Sequence, residues 1–329
     1  MGNPTTSSSD GPHNPLPDLT FDQIPVHLRQ AAERAGWTEL MPVQARAIPY
    51  LLAKRNMMIQ ARTGSGKTGA FLLPMLERLD PARSQCQALI LVPTRELAKQ
   101  VWLEAERLCG GKGLRTVAVY GGVGYGPQVD ALKNGAHIVV GTPGRVLDHL
   151  LKRTFSLEHL KMLIFDEADR MLSMGFYPDM QDVQRYLPKR IIHTCMFSAT
   201  FPESVMRTAR EFIHEGEFIS LSSDHIHVTD TDHIFYIVDG MDKDRSLVRL
   251  IEVENPTSAI IFCNTKDRVH YVSVVLQRFG YDADELSADL SQAAREQVLE
   301  RVRRGTLRFL VATDVAARGL DIPNLSHII

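Results

Sequence analysis

The residue types in Ala61-Arg62-Thr63-Gly64-Ser65-Gly66-Lys67-Thr68 follow an order suited to holding phosphate. Glycines let the backbone curl so that successive N–H groups converge on phosphate oxygens, and a helix beginning just beyond adds favourable partial charge. Lys67 is placed to reach the β- and γ-phosphates, and the Thr68 hydroxyl to ligate Mg²⁺. Thr63, Gly64, Ser65 and Gly66 supply the backbone cradle. Ala61 stands at the first position, where the simplest form of this loop has glycine. Further along, the apolar run Leu163-Ile164-Phe165 leads into Asp166-Glu167-Ala168-Asp169. Carboxylates at the C-terminal end of a buried strand face the crevice where open parallel sheets bind ligands. Asp166 is therefore expected to hold the Mg²⁺ shell, and Glu167 to orient or deprotonate an attacking water. An acidic cluster by itself reads as a solvated helix start, but the glycine loop upstream argues against that here. Together the two motifs imply binding and hydrolysis of ATP with Mg²⁺.

Such groups need a rigid frame. Short apolar runs at 56–60, 88–92, 116–120, 137–140, 162–165 and 194–197 alternate with helical stretches. Strands that are apolar on both faces and separated by helices predict an α/β fold with a parallel sheet. Residues 1–18, rich in Ser, Thr, Pro and Gly, lack apolar periodicity and read as a disordered tail. The N-terminal ATP-binding domain is then expected over 19–222, a polar linker over 223–232 and a second α/β unit over 233–329. Within that unit 234–238, 259–262 and 309–312 read as strands, with helices over 266–279 and 291–303. The chain closes on a further predicted strand.

Composition narrows the function classes. With 329 residues and 44% hydrophobic content there is material for two cores, and neither a disordered nor a fibrous class fits. No apolar run is long enough to cross a bilayer and no secretory leader opens the chain, so no membrane role and a cytoplasmic location are expected. Cys86, Cys109, Cys195 and Cys263 have neither metal-ligand nor redox spacing and read as reduced, mostly buried thiols. A formal net charge of −2 is not the basic footprint of bulk electrostatic nucleic-acid binding, so any such role must rest on specific motifs.

Those motifs are present. Beyond the glycine loop and 166–169, the sequence contains Pro93-Thr94-Arg95-Glu96-Leu97-Ala98, Gly121-Gly122, Thr142-Pro143-Gly144-Arg145 and Ser198-Ala199-Thr200. Past the linker come Ile260-Ile261-Phe262-Cys263-Asn264-Thr265, Gln292 with Arg295, and the run from Val311 through Thr313, Gly319 and Asp321. In this order the chain resembles the DEAD-box family of ATP-dependent RNA helicases, from about Phe21 to its last residue. The resemblance implies two RecA-like P-loop domains that close over ATP and one RNA strand, with possible protein cofactors. It implies RNA contacts at Pro93, Thr94, Arg95, Gly122, Thr142 and Arg145 in the first unit, and at Gln292, Arg295 and Thr313 in the second. Small residues and backbone N–H groups at loop tips can grip phosphates without a basic surface, so sequence-independent readout is expected. Ser198 and Thr200 resemble the motif that links ATP state to closure, and Gly319 and Asp321 a nucleotide-binding motif with Asp321 on the ribose. Trp37 and Gln44 resemble the family's adenine site, where an amide reads the base edge and a ring stacks on its face; core packing is the alternative for Trp37.

Two departures stand out. Leu40-Met41 replace the usual Pro-Thr, removing a hydroxyl beside the base pocket, and Ser287-Ala288 replace the usual His-Gly before Asp289. The family's arginine-rich His-Arg-Ile-Gly-Arg motif is not reached before Ile329, so the second unit is expected to be incomplete and this chain a truncated form. Arginines at the γ-phosphate are worth roughly 10³–10⁵ in rate. Two activities are therefore expected as alternatives: RNA-stimulated ATP hydrolysis with local duplex unwinding, or an ATP-responsive RNA clamp with negligible turnover. A DNA translocase on the same scaffold is a third, weaker reading.

Overall fold

The structure, a computed structural model, describes residues 12–221, 231–239, 242–287, 289–317, 320, 322 and 325–329. The chain divides into two compact units, 1–227 and 228–329.

Among the described residues the first unit carries seven strands: β1 (Met57–Gln60), β2 (Ala88–Leu91), β3 (Thr116–Val119), β4 (Ile138–Gly141), β5 (Met162–Asp166), β6 (His193–Ser198) and β7 (Glu217–Ser220). Its helices are α1 (Val26–Arg34), α2 (Pro42–Leu52), α3 (Lys67–Arg78), α4 (Arg95–Cys109), α5 (Tyr125–Lys133), α6 (Pro143–Leu151), α7 (Ala168–Ser173), α8 (Tyr177–Gln184) and α9 (Glu203–Phe212). All seven strands are parallel, in the order β3-β4-β2-β5-β6-β1-β7. The pleat explains the apolar runs: side chains alternate between faces, and both faces are covered. Ile59, Ile90, Val140, Ile164 and Phe197 enter one core with Phe71, Leu72 and Tyr50. Leu89, Leu91, Val139, Leu163, Phe165 and Met196 enter the other with Met171, Met180 and Phe212. Edge-to-face contacts tie strands to helices on each side, Phe71 to Phe197 at 5.2 Å and Phe165 to Phe212 at 5.0 Å between centroids. Truncating a core ring such as Phe197 to alanine costs about 3–5 kcal/mol in comparable interiors.

The second unit holds β8 (Ala259–Phe262), β9 (Ala283–Leu286), β10 (Phe309–Ala312) and β11 (His327–Ile328), parallel in the order β11-β8-β10-β9. Helices α10 (Lys243–Glu254), α11 (Lys266–Arg278), α12 (Gln292–Arg303) and α13 (Asp314–Ala317) complete it. Thr265 caps α11 by accepting from Arg268 N–H, and Ser291 caps α12 by accepting from Ala294 N–H.

Two expectations need correction. Residues 234–238 form no strand; Phe235 and Ile237 stand 85% and 94% exposed. The Ile-Phe-Tyr-Ile-Val run has strand composition but no ladder partner among the described residues, and a strand needs one. Part of the expected tail is also ordered: Asn14 O accepts from Arg55, Leu16 packs against the core with its N–H on the Tyr50 hydroxyl, and Asp18 pairs with Arg46 at 2.9 Å. Those contacts come from residues distant in sequence, which composition does not reveal. Of the expected tail, 1–11 lie outside the described residues, as do 223–230 of the expected linker.

Candidate functional site

The strand order sets the site. At the C-terminal edge of the first sheet, β5, β6 and β1 end side by side, with Asp166 opposite Phe197 and Ser198 opposite Gln60. This brings the glycine loop, the acidic motif and Ser198-Ala199-Thr200 together. The other half of the same edge belongs to β3, β4 and β2, whose exits carry Gly121-Gly122, Thr142 through Arg145, and Pro93 through Arg95.

The glycine loop runs from β1 into α3. Gly64 and Gly66 take positive φ of 77° and 88°, the left-handed region where a side chain is strained. A Cβ on Gly66 would also lie 2.4 Å from Met41 Sδ and 2.9 Å from Gln44 Nε2. Lys67 is buried, and its ammonium donates to the carbonyls of Ala61 and Arg62, each at 2.9 Å. The Ser65 hydroxyl donates to Arg62 O at 2.7 Å, and Ala61 N–H donates to Ser198 O at 3.0 Å. Thr63 is exposed and Thr68, one residue into α3, half-buried.

Asp166 closes β5, fully buried, with Oδ1 lacking any hydrogen-bond partner. Burial pushes its pKa up to about 7, with Glu167 adding to the rise and Lys67 opposing it. A buried carboxylate oxygen without a partner among the described residues is a donor that suits a hard divalent cation, which commonly takes few protein ligands and completes its shell with water and phosphate. Glu167 sits at φ 55°, and its buried carboxylate accepts from the Arg170 guanidinium at 2.9 Å. Asp169 is spent on connection: Oδ2 accepts from Thr200 N–H (3.1 Å) and hydroxyl (2.8 Å), while Asp169 N–H donates to Ser198 Oγ at 3.1 Å. Gln60 extends the link, donating to Ala199 O at 3.2 Å.

Gln44 and Trp37 both reach this loop. Gln44 is buried; its oxygen accepts from Met41 N–H at 3.0 Å and its amide donates to Gly66 O at 3.1 Å. Trp37 packs its outer ring edge on Gly69, where a Cβ would lie 2.2 Å from Cη2, and joins the core beneath α3. Packing, the alternative reading for Trp37, accounts for that edge.

On the other half of the edge, a Cβ on Gly122 would lie 1.8 Å from Arg95 Nη1, so two expected contacts are in touch. The Thr94 hydroxyl accepts from Leu97 N–H at 3.2 Å as α4 begins, Pro93 follows β2, and Thr142 N–H donates to Val119 O at 3.1 Å. Arg145 leans over the Tyr125 ring at 5.3 Å, and its Nη1 is buried without a partner. In the second unit Gln292 opens α12. Arg295 donates to Ala316 O at 2.6 Å, while the Thr313 hydroxyl accepts from Ala316 N–H at 3.2 Å, so this pair meets through α13. Gly319 and Asp321 lie outside the described residues.

Sequence reasoning missed Arg170, Tyr125 and His149. Arg170 sits three residues after Glu167 on one helix face, a spacing that signals an ion pair. Nothing in the sequence around Tyr125 and His149 signals that the two rings meet.

The DEAD/DEAH box helicase family model matches residues 41–208, and that of the helicase conserved C-terminal domain matches 242–329. The chain is 44% identical over 304 residues to the ATP-dependent RNA helicase DeaD of Escherichia coli (strain K12), covering 91% of this chain and 48% of that protein. It is 39% identical over 311 residues to the DEAD-box ATP-dependent RNA helicase CshA of Geobacillus kaustophilus, covering 94% and 66%. The chain thus spans about half the length of the DeaD relatives it matches. Among solved structures, S. cerevisiae Dbp5 bound to RNA and ADP BeF3 superposes with a TM-score of 0.83 at 30% identity, over 94% of this chain and 79% of that one. The two parallel sheets are thus RecA-like, and the chain belongs to the DEAD/DEAH box helicase family.

Proposed function

We propose that this chain is the nucleotide- and RNA-binding core of a cytoplasmic ATP-dependent RNA helicase, with the two units spanning 19–222 and 233–329 about a linker at 223–232. The observation that carries this reading is the division of one sheet edge. The β5-β6-β1 half gathers Lys67, Thr68 and Asp166, and the β3-β4-β2 half gathers Arg95, Gly122, Thr142 and Arg145.

In this reading the backbone of 61–66 cradles the phosphates. Lys67 exchanges its bonds to Ala61 O and Arg62 O for phosphate oxygens, so a donor already buried and positioned needs little reordering. Thr68 and Asp166 would hold Mg²⁺, which would neutralise charge on the phosphates. Glu167, freed from Arg170, takes the proton of the attacking water. Gln44 and Trp37 serve the base pocket, and Gly319 and Asp321 are nucleotide-binding residues of the second unit. Ser198 and Thr200 pass the nucleotide state through Asp169 and Gln60. RNA phosphates meet Pro93, Thr94, Arg95, Gly122, Thr142 and Arg145 on the first unit and Gln292, Arg295 and Thr313 on the second. Protein cofactors would supply target choice.

The Arg170 to Glu167 ion pair favours a second reading, an ATP-responsive RNA clamp, because it withholds the base until something displaces it. Steady-state ATP hydrolysis with and without single-stranded RNA, beside a nucleotide titration, separates the two. RNA-stimulated turnover supports the helicase, and nucleotide-dependent RNA affinity without turnover supports the clamp. RNA affinity indifferent to nucleotide removes both.

A further inference from the structure

Arg145, His149 and Lys152 recur at i, i+4 and i+7 along α6 and its C-cap, so they share one face. Tyr125, the first residue of α5, lies along that stripe. Its ring stacks on the His149 imidazole at 4.4 Å between centroids and 13° between planes. The Arg145 guanidinium carbon is 5.3 Å, and the Lys152 ammonium 4.1 Å, from the same ring centroid. Beneath the ring His149 is fully buried, with its nitrogens met by Thr154 Oγ1 at 2.8 Å and Gln128 Oε1 at 3.3 Å. Gln128 in turn donates to Tyr120 O at 3.1 Å and Gly124 O at 3.4 Å, on either side of Gly121-Gly122.

This arrangement has more positive charge than it can satisfy internally. Two cations share one ring. Asp148 approaches Arg145 only at 3.9 Å and is itself largely exposed, and no ion pair joins Lys152 to any described residue. Arg145 Nη1 is buried and unpartnered. A buried donor without an acceptor is costly, and an anion that supplies one recovers the loss.

Resting on the RNA reading above, we propose that Lys152 is a further RNA phosphate contact, and that Tyr125 is the positioning residue presenting Lys152 and Arg145 together to the strand. The ring quadrupole holds both cations against its face, which reduces the side-chain freedom lost when phosphate binds. A phosphodiester suits the site because it offers single negative charges at intervals along an extended chain.

The test is the affinity of a labelled single-stranded oligouridine, with a non-hydrolysable ATP analogue and Mg²⁺, across a salt series. Lys152→Gln should flatten the slope of log affinity against log salt by about 0.7, the share of one single-strand phosphate contact. Tyr125→Ala should weaken binding more than Lys152→Gln, and adding Lys152→Gln to it should weaken binding little further. Tyr125→Phe should restore the affinity, since the ring and not the hydroxyl does the presenting. Thermal melting of each variant separates loss of fold from loss of binding. A Lys152→Gln slope equal to that of the unaltered chain, where Arg145→Gln does flatten it, overturns this proposal alone. No RNA binding by the unaltered chain overturns the RNA reading with it. Lys152-dependent binding of polyglutamate in place of oligouridine would also overturn it, in favour of an acidic protein partner.

Discussion

Asp169 holds Thr200 by two hydrogen bonds to one carboxylate oxygen, at 3.1 Å from the backbone N–H and 2.8 Å from the hydroxyl. The last residue of the acidic motif is thereby fastened to the turn after β6, which ties Asp166-Glu167-Ala168-Asp169 to Ser198-Ala199-Thr200. Asp169 also accepts from Arg170 N–H at 3.0 Å. Thr200→Val removes one charge-assisted bond in a partly exposed setting and should cost about 1 kcal/mol in urea unfolding, whereas Asp169→Ala removes three acceptor bonds and should cost about 2–3 kcal/mol. Equal losses would mean that the Thr200 hydroxyl bond alone carries the effect and that the carboxylate's two backbone bonds contribute nothing.

Asp166 gives the first unit a pH signature. Its folded pKa, raised by burial to about 7, lies above the unfolded value near 4. Below the unfolded value the carboxyl is neutral in both states; as pH rises from about 4 to 7 the folded state resists ionisation and loses stability. Asp166→Asn should therefore match the unaltered chain near pH 4 and exceed it by up to a few kcal/mol at pH 7 without Mg²⁺. Buried His149 and His193, with pKa values held down to about 4, act in the opposite direction, but in both chains, and cancel in the difference. Urea unfolding over pH 4–8 checks this; a constant difference would show that Asp166 keeps its ordinary pKa.

Glu167 and Arg170 make separable predictions. Glu167→Gln should slow hydrolysis by roughly 10²–10⁴ while leaving ATP affinity within a few fold, because only proton transfer is lost. Arg170→Gln leaves a buried carboxylate unpaired, a loss of about 1–2 kcal/mol once the partial exposure of Arg170 is discounted. Unchanged single-turnover hydrolysis in Glu167→Gln would remove Glu167 as the base.

How much of this was legible beforehand depended on whether the signal was local. Residues 88–91 and 138–141 are apolar throughout because both faces are covered, and such runs announce themselves. The strand Ala283–Leu286 does not, since Asp284 and Glu285 occupy its middle. Arg301 of α12 makes it possible, bonding Asp284 at 2.8 Å and Asp282 at 2.7 Å. The run at 234–238 shows the converse, strand composition without a partner. The placement of Lys67 at the start of α3 and of Asp166 at the end of β5 was legible because a motif fixes the spacing of a strand, a loop and a helix. Tyr125 and His149 were not, since their meeting depends on how α5 and α6 lie beside β3 and β4.

Gln44 offers the sharpest separation of positioning from packing at the glycine loop. Its amide joins the start of α2 to Gly66, one residue before Lys67, in a chain with Met41 at a position where a hydroxyl is usual. Gln44→Leu keeps most of the volume but abandons both bonds, leaving Met41 N–H without its acceptor and Gly66 O with only the longer bond from Ala70 N–H at 3.4 Å. With each neutral bond worth about 0.5–1.5 kcal/mol, nucleotide affinity should fall about two- to tenfold if the bonds hold the loop in its binding form. The same variant should lose stability, because both bonds lie in a partly buried setting. Binding of a fluorescent ADP analogue, measured with urea unfolding on the same preparation, distinguishes the cases. A stability loss with unchanged affinity would assign Gln44 to packing alone, and an affinity loss confined to adenine over guanine nucleotides would assign it to the base.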